Sequence, residues 1–334
     1  MENKSVEVSI CCITYNQKEY VREALDSFLS QKMDVNFEII VHDDASTDGT
    51  AEIVKEYIER YPNIIKGILQ NENQFSKGNR RVLLNNLLPV ATGKYIAVCE
   101  GDDYWCDVDK VHMQLEFIKT HPECAVCVHR TEIIHENGDA TGETVPSMEL
   151  ETGIISSDDY INRVFRENRH LFHTSSILFP RKAVESIVGC LPEFMKVSEA
   201  GDRALFLYLA TKGDIAYIDR IMSKYRVMRK GSWSEAMRMS AYKTYMHNLT
   251  LIKMANLFDV YTDRKYTDAI YEYTIEYEFS VLMYEMNGRK MKQPQYRKFY
   301  DKLSEKQKIY FNICSYFPVL GKVYRKIKLR IKKG

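Results

Sequence analysis

The chain has 334 residues, 45% of them hydrophobic and 28% charged, with 15 glycines and 8 prolines. This is the composition of a globular protein, and it excludes a disordered chain or a repeat array. No stretch approaches the roughly 18 consecutive apolar residues of a membrane span, and the first residues lack the features of a secretory signal. The sequence therefore predicts a cytoplasmic protein.

Charge is distributed unevenly along the chain. Residues 322–334 contain seven Lys or Arg and no acid, which leaves 40 bases against 46 acids in the rest. Apolar residues such as Val323 and Ile327 recur at helical spacing in this tail, which indicates an amphipathic helix attracted to anionic lipid. A solvated end and a strand that pairs with a partner protein are the alternatives. Nucleic acid is not expected, because no RNA- or DNA-binding module is present.

Eight cysteines lie mostly inside apolar segments, which predicts reduced thiols in a core. Cys124 and Cys127, flanked by His121 and His129, have the spacing of half a zinc site. No second half-site is evident, and the same segment, CAVCVHRTEII, is typical of a β-strand. We therefore predict a strand there.

The first third of the chain alternates short apolar runs with amphipathic stretches, the pattern of βαβ units in a parallel sheet. Strands are predicted at 6–14, 37–44, 63–69 and 94–100, and helices at 17–31, 50–61 and 80–91. Further on, a helix at 108–120, a strand at 124–134 and a hairpin turn at 137–139 are predicted. Residues 234–287 have helical spacing and few breakers.

Polar clusters follow three of the predicted strands: Thr14-Tyr15-Asn16, Asp43-Asp44-Ala45-Ser46 and Glu100-Gly101-Asp102-Asp103. Ligands of a doubly wound sheet bind beyond the carboxyl ends of its strands. Several carboxylates around one crevice repel each other unless a cation compensates, which points to a divalent metal and a polar ligand. Taken alone, each acidic turn is typical of helix capping.

The oxygen-rich clusters favour Mg²⁺ or Mn²⁺, which typically share their coordination with substrate phosphates. A diphosphate-linked substrate suits this chemistry. Neither GxGxxG after the first strand nor GxxxxGK[ST] occurs. Their absence disfavours a dehydrogenase or a P-loop NTPase.

The order of three motif groups carries a family resemblance. They are ICCITYNQKEYVREALDSFLSQ with FEIIVHDDASTDGT, then GKYIAVCEGDDYW, and finally EAGDRALFLYLATKG with KYRVMRKGSWS. Over residues 6–234 the chain resembles a family 2 glycosyltransferase of the GT-A fold, the inverting bacterial type that builds surface polysaccharides. The resemblance implies an α/β fold with a Rossmann-like mixed sheet flanked by helices and a mostly helical C-terminal extension. The implied domains are 1–233, 234–318 and a basic tail, 319–334.

The resemblance also implies a donor site. Thr14 and Tyr15 would line the nucleobase pocket, and Asp44 would accept a hydrogen bond from the base. Asp102 and Asp103 would form the DxD-type metal site for Mn²⁺ or Mg²⁺, with Asp102 on the ribose side and Asp103 on the metal that bridges the phosphates. Two further carboxylates stay open, since Asp43 suits either a site role or a cap and Glu100 stands where relatives often have Asp.

Asp202 matches the general base of the family, a carboxylate at a helix N-terminus that takes the proton of the attacking hydroxyl. Glu199 is the next candidate. His173 matches a position near donor or acceptor, and Arg226 is a candidate for the diphosphate, since Met228 replaces a frequent His in the closing segment. Trp105 suits either a sugar platform or the core.

The implied function is inverting transfer of a sugar from a nucleotide-diphosphate donor, UDP by family analogy, to a hydroxyl of a glycan or lipid-linked acceptor. The enzyme would lie in the cytoplasm, peripheral on the inner face of the membrane through its tail. A non-catalytic nucleotide-sugar or glycan-binding module of the same fold is the alternative. A nucleotidyltransferase would carry a Gly-rich basic loop after the first strand, which CITYNQKEY lacks.

Overall fold

The computed structural model describes residues 5–168, 171–199, 201–227 and 240–316. The described residues form two compact units, one of 5–196 with 201–227 and the other of 197–199 with 240–316. The expectations for Met228, for the 231–234 turn and for the tail at 319–334 lie outside the described residues.

The first four predicted strands are present and parallel, in the spatial order β3-β2-β1-β4. Thr14 lies opposite Asp43, and Ile13 lies opposite Glu100, so the carboxyl ends of β1, β2 and β4 reach one level. The predicted juxtaposition of the three polar clusters is therefore confirmed. The strands are β1 (Val8–Thr14), β2 (Phe37–Asp43), β3 (Ile65–Leu69) and β4 (Tyr95–Glu100).

Within the described residues, six further strands extend this sheet to ten and make it mixed. They are β5 (Tyr104–Trp105), β6 (Cys124–Ile134), β7 (Ala140–Val145), β8 (Gly153–Ile155), β9 (Leu178–Pro180) and β10 (Asp214–Arg226). Short β9 runs antiparallel between β4 and β6, and β6 pairs in parallel with β10. β5 and β8 pair antiparallel with β10. The predicted β6 strand and its hairpin with β7 are confirmed, and Cys124 and Cys127 are free thiols.

Helices of the first unit are α1 (Val21–Leu29), α2 (Thr50–Arg60), α3 (Lys110–Thr120), α4 (Ser157–Arg166), α5 (Glu193–Val197) and α6 (Gly201–Ala210). α1 buries Val21, Ala24, Leu25 and Phe28, as its spacing predicts. The helix predicted at 80–91 is shorter and of a different type, because the structure has a five-residue π-helix at Leu83–Leu87. Pro89 lacks the N–H that a longer helix needs, and two asparagines within the turn are weak helix formers.

The second unit is helical, as predicted. It contains α7 (Ala241–Tyr261), α8 (Thr267–Glu285), α9 (Gly288–Met291), α10 (Arg297–Tyr300) and α11 (Glu305–Tyr316). Among the helices of the described ranges, none combines the length and the apolar character needed to cross a membrane.

Candidate active site

The loops that follow β1 and β2 hold each other in place. Asn16 and Ala45 both have left-handed backbone angles, with φ of 50° and 62°. Residues other than glycine adopt this conformation at a cost in free energy. The Asn16 N–H donates to Ser46 Oγ at 2.9 Å, and the Thr47 N–H donates to Asn16 Oδ1 at 2.8 Å. The neighbouring strand ends thus form one rigid junction.

Asp43 and Asp44 have different surroundings although they are adjacent. Asp43 accepts hydrogen bonds from the Ser46 N–H and hydroxyl at 2.9 and 2.5 Å, which makes it a local turn cap. Buried Asp44 instead accepts the backbone N–H groups of Gln74 and Phe75, at 2.7 and 3.0 Å. Asp44 therefore fixes the loop after β3, and each of its oxygens keeps acceptor capacity for a ligand.

Thr14 and Tyr15 end β1 beside this carboxylate. The Asp44 N–H donates to the Thr14 carbonyl at 3.0 Å, so the two strand ends touch. Tyr15 is 42% exposed, and the Thr14 hydroxyl is buried with no hydrogen-bond partner within the described ranges. An exposed aromatic ring next to buried polar atoms suits the binding of a flat polar ligand.

Asp103, in the turn after β4, is 2% exposed. Its Oδ1 accepts the Arg226 N–H at 2.9 Å, whereas its buried Oδ2 has no hydrogen-bond partner in the part of the chain that is described. Burial, followed by the charges of Asp102 and Glu100, raises the pKa of Asp103 well above its ordinary value. A nearby cation would relieve this cost.

The acidic turn after β4 fits a divalent metal, because Asp103 Oδ2 is buried and has no hydrogen-bond partner among the described residues. Within the described ranges, no three His, Cys, Asp or Glu side chains form a group that would hold a metal by themselves. Mg²⁺ and Mn²⁺ do not require such a group, since one or two carboxylates suffice when substrate phosphates and waters complete the shell. Asp103 with Asp102 would supply the protein ligands.

His173 lies directly beside Asp103, the candidate metal ligand. Its ring stacks on Tyr225 with centroids 3.9 Å apart, and its Nδ1 is 3.6 Å from Asp103 Oδ2. The same Nδ1 accepts the Ser175 N–H at 3.3 Å and lies 2.9 Å from Ser175 Oγ. His173 is therefore held in a fixed orientation next to the acidic turn.

A buried row of hydroxyls continues behind His173. Ser175 Oγ lies 3.0 Å from Ser223 Oγ, which lies 2.9 Å from Thr131 Oγ1. This row could not be predicted from the sequence, because it depends on the pairing that places Ser223 of β10 opposite Thr131 of β6. The sequence signal was weak, because Ser223 and Thr131 are single Ser or Thr residues in strands that also contain charged side chains.

Arg226 is buried, and each of its three side-chain nitrogens donates to a protein group of the first unit. Its Nε donates to the Asp102 carbonyl at 3.1 Å, Nη1 to the Glu136 carbonyl at 3.0 Å, and Nη2 to Glu23 Oε2 at 2.8 Å. The guanidinium also lies 4.6 Å from the centre of the Tyr20 ring. Arg226 thus links α1, the β4–β5 turn and the β6–β7 hairpin, and its donors point to protein partners.

Asp202 begins α6, where its Oδ1 accepts the Arg203 N–H at 2.7 Å. The helix N-terminus favours the ionised carboxylate. Burial raises the pKa of the Tyr225 hydroxyl, and the charges of Glu100, Asp103, Asp102 and Asp202 raise it further. The charges of Asp202 and of the acidic turn after β4 therefore both raise the pKa of Tyr225. In the second unit, the other base candidate, Glu199, lies 3.2 Å from His247 Nδ1.

Trp105 belongs to the core and not to a sugar platform. Its ring is buried against Phe28 at 4.7 Å, its Nε1 donates to the Ser175 carbonyl at 3.0 Å, and the Lys110 ammonium sits 3.9 Å from the ring centre. Lys110 is itself completely buried and donates to Gln114 Oε1 at 2.8 Å. This buried polar cluster supports the turn that carries Ser175.

Comparison with known proteins extends these observations. The family model described as glycosyl transferase family 2 matches residues 9–188. Uncharacterised protein Rv1520 of Mycobacterium tuberculosis is 34% identical over 262 residues, which cover 77% of this chain and 70% of that protein. The Escherichia coli UDP-Glc:alpha-D-GlcNAc-diphosphoundecaprenol beta-1,3-glucosyltransferase WfaP is 29% identical over 227 residues, covering 68% and 79%.

Two solved structures share the fold. TarS 1-349 of S. aureus in complex with UDP-GlcNAc aligns with a TM-score of 0.57 at 17% identity, covering 92% of this chain and 78% of that one. The mannosyltransferase PcManGT of Pyrobaculum calidifontis, with GDP-Man and Mn²⁺, aligns with a TM-score of 0.51 at 16% identity, covering 95% and 88%. Because the family model spans more than half of the sequence, this chain belongs to glycosyl transferase family 2, and its mixed sheet is of the GT-A type.

Proposed function

We propose that this protein is an inverting, metal-dependent glycosyltransferase. It would move a sugar from a nucleotide-diphosphate donor to a hydroxyl of a glycan or lipid-linked acceptor in cell-surface polysaccharide synthesis. The observation that carries this proposal is the meeting of Thr14, Asp44 and the Asp102-Asp103 turn at one sheet edge, where Asp103 Oδ2 is buried without a hydrogen-bond partner among the described residues. UDP is the favoured nucleotide, since WfaP is named for a UDP-Glc donor and TarS was solved with UDP-GlcNAc.

In the proposed donor complex, the nucleobase lies against Tyr15 and hydrogen-bonds to Asp44. Asp44 is suited to this role because two backbone N–H groups already fix its orientation. Asp102 and Asp103 hold Mn²⁺ or Mg²⁺, as the Mn²⁺ in the PcManGT structure also suggests. Once bound, the cation supplies positive charge to the departing diphosphate.

In the proposed transfer, Asp202 accepts the proton of the acceptor hydroxyl while that oxygen forms a bond to the anomeric carbon. The bond from this carbon to the diphosphate oxygen breaks on the opposite face, so the anomeric configuration inverts. Asp202 suits this task because the helix N-terminus and the Arg203 N–H both favour its ionised form. His173, whose Nδ1 lies 3.6 Å from Asp103 Oδ2, would contact the donor or acceptor in this proposal.

Arg226 receives a different role from the one that the resemblance implies. Its three polar partners are protein groups, and its side chain is only 4% exposed, which leaves little surface for a direct phosphate contact. We propose that it positions the Asp102-Asp103 turn instead. Two bonds support this role, because the Arg226 backbone holds the Asp103 carboxylate and its side chain holds the Asp102 carbonyl.

We further propose that the basic tail attaches the enzyme peripherally to the inner face of the membrane, next to a lipid-linked acceptor. The support is the seven cations among residues 322–334, which lie between apolar residues at helical spacing.

A donor screen tests the proposed activity. UDP-, GDP- and dTDP-sugars are titrated with and without Mn²⁺, and hydrolysis of each is followed. Metal-dependent binding with slow hydrolysis of one class supports the enzyme. Metal-dependent binding without hydrolysis, and without transfer to any glycan, would favour the non-catalytic module, and no binding of any donor would refute both.

A further inference from the structure

The positive charge of the C-terminal part extends well beyond the tail. Residues 288–334 hold 15 Lys and Arg against two acids, which leaves 32 bases and 44 acids in residues 1–287. Eight of these bases and both acids belong to residues 288–316, which we call the basic segment. Unlike the tail, this segment lies within the described residues.

The basic segment is folded against α8. Its residues Met291, Tyr296 and Phe311 share one apolar cluster with Ile275 and Phe279. Gly288 allows the close approach of α9 and α11, since a Cβ there would lie 2.5 Å from the Phe311 carbonyl oxygen. The cations of the basic segment therefore lie on folded, packed helices.

Most of these cations lack a carboxylate partner. Both acids of the segment are used, because Asp301 pairs with Arg297 at 3.0 Å and Glu305 with Lys308 at 2.8 Å. Among the described residues of the basic segment, the exposed Lys and Arg side chains that form no ion pair are Arg289, Lys290, Lys292, Lys298, Lys302 and Lys306. The charge is thus available to an external anion.

An apolar face accompanies the charge on α11. Ile309, Ile313 and Tyr316 are 58%, 48% and 80% exposed, and their i, i+4, i+7 spacing places them on one side of the helix. Cations next to exposed aliphatic side chains are typical of helices that lie in a lipid interface. Nucleic acid would use the cations but not the isoleucines.

We propose that the basic segment is a second membrane-binding surface, which takes an anionic lipid bilayer. Ile309, Ile313 and Tyr316 enter the interface, and the unpaired cations contact the headgroups. This inference builds on the membrane attachment proposed for the tail, but it assigns binding to folded structure that the tail does not include.

The test uses the full chain with the seven Lys and Arg of residues 322–334 changed to Gln, so that only the basic segment carries the excess charge. Co-sedimentation is measured with vesicles of phosphatidylcholine alone and with phosphatidylglycerol added, at low and high salt. We expect binding only to the anionic vesicles, weakened by salt. Adding Ile309→Ser and Ile313→Ser should lower the affinity at least about tenfold.

Val260→Ser with Tyr271→Ser is the matched control, because these side chains are 59% and 55% exposed on α7 and α8 outside the segment. The control should bind as the tail variant does. Loss of all binding in the tail variant while the unaltered chain still binds would assign attachment to the tail alone and overturn the inference. Equal binding to both vesicle types, or full competition by a DNA duplex, would also overturn it. Donor binding by the same variants in solution reports separately on the proposed transferase activity.

Discussion

Each carboxylate of the candidate site has a different set of partners. Asp43 is satisfied by Ser46, and Asp44 by the loop after β3, whereas Asp103 keeps a buried oxygen without a hydrogen-bond donor in the described ranges. All three lie at or just after the carboxyl end of a strand, so the sequence predicts that they share one edge of the sheet. It does not predict which of them is a turn cap, which accepts a hydrogen bond from the base and which binds the metal. Their hydrogen-bond partners, which are local for Asp43 and come from a distant loop for Asp44, support the three roles that we propose.

Asp202→Asn tests the proposed base. Donor affinity should stay within a factor of about two, and turnover with the acceptor should fall by roughly 10²-fold or more, because an amide does not accept the proton. Asn keeps the Oδ1 that accepts the Arg203 N–H, so the fold should survive. Calorimetry gives the affinity and product formation gives the rate, with Glu199→Gln as the control. Wild-type turnover in Asp202→Asn together with a slow Glu199→Gln would move the base to Glu199.

Lys110 makes stability depend on pH. Burial lowers the pKa of this ammonium to about 7, whereas the pKa in the unfolded chain is about 10.4. Between these values the unfolded chain binds the proton more strongly than the folded chain does. The free energy of unfolding therefore rises with pH, by at most about 1.4 kcal/mol per pH unit from this group.

Lys110→Met removes that dependence. We expect the variant to gain most relative to the wild type near pH 7, and the gain to shrink as the pH rises toward 9. Urea unfolding of both proteins at several pH values measures the difference. Parallel pH curves for the two proteins would show that Lys110 does not titrate in this range.

At the level of elements, hydrophobic periodicity predicted most strands and helices. It did not predict the side-chain contacts that depend on how the strands pair. All four parallel strands were predicted, and β1, β2 and β4 are nearly continuous buried runs. The helix at 80–91 was predicted too long, across Pro89. The hydroxyl row from Ser175 to Thr131 follows from the register of β6 with β10. No local pattern encodes that register, which explains why the support of His173 went unpredicted.

Gly101→Ala tests the packing that sets the Asp102-Asp103 turn. A Cβ at Gly101 would lie 2.6 Å from Gln17 Oε1 and 2.9 Å from the Thr14 Cβ, so the turn or the end of β1 must move. We expect metal-dependent donor affinity to fall at least about tenfold, since small displacements of ligands are costly. Gly153→Ala, whose added Cβ would meet no atom within 4 Å, should bind donor normally. Equal donor affinity in the two variants would show that the turn tolerates the shift.

At the scale of the whole molecule, the candidate active site and the excess of positive charge lie in different parts of the chain. The candidate site is built from the first unit, which contains the sheet, whereas residues 288–334 carry the positive excess. Composition alone revealed the tail, because residues 322–334 contain seven cations and no acid. The basic segment was overlooked because its cations are interspersed with the core residues Met291, Tyr296 and Phe311, and only the fold separates the two sets.

The central claim is that Asp103 holds the metal that binds the donor diphosphate. Calorimetry of a UDP-sugar, with and without Mn²⁺, tests it in Asp103→Asn, which retains an oxygen for the Arg226 N–H. Asp139→Asn, an exposed change in the β6–β7 turn, is the matched control. We predict that Asp103→Asn loses the metal dependence and at least about tenfold in affinity, while the control binds as the wild type does. Unchanged affinity and metal dependence in a folded Asp103→Asn protein would contradict the assignment.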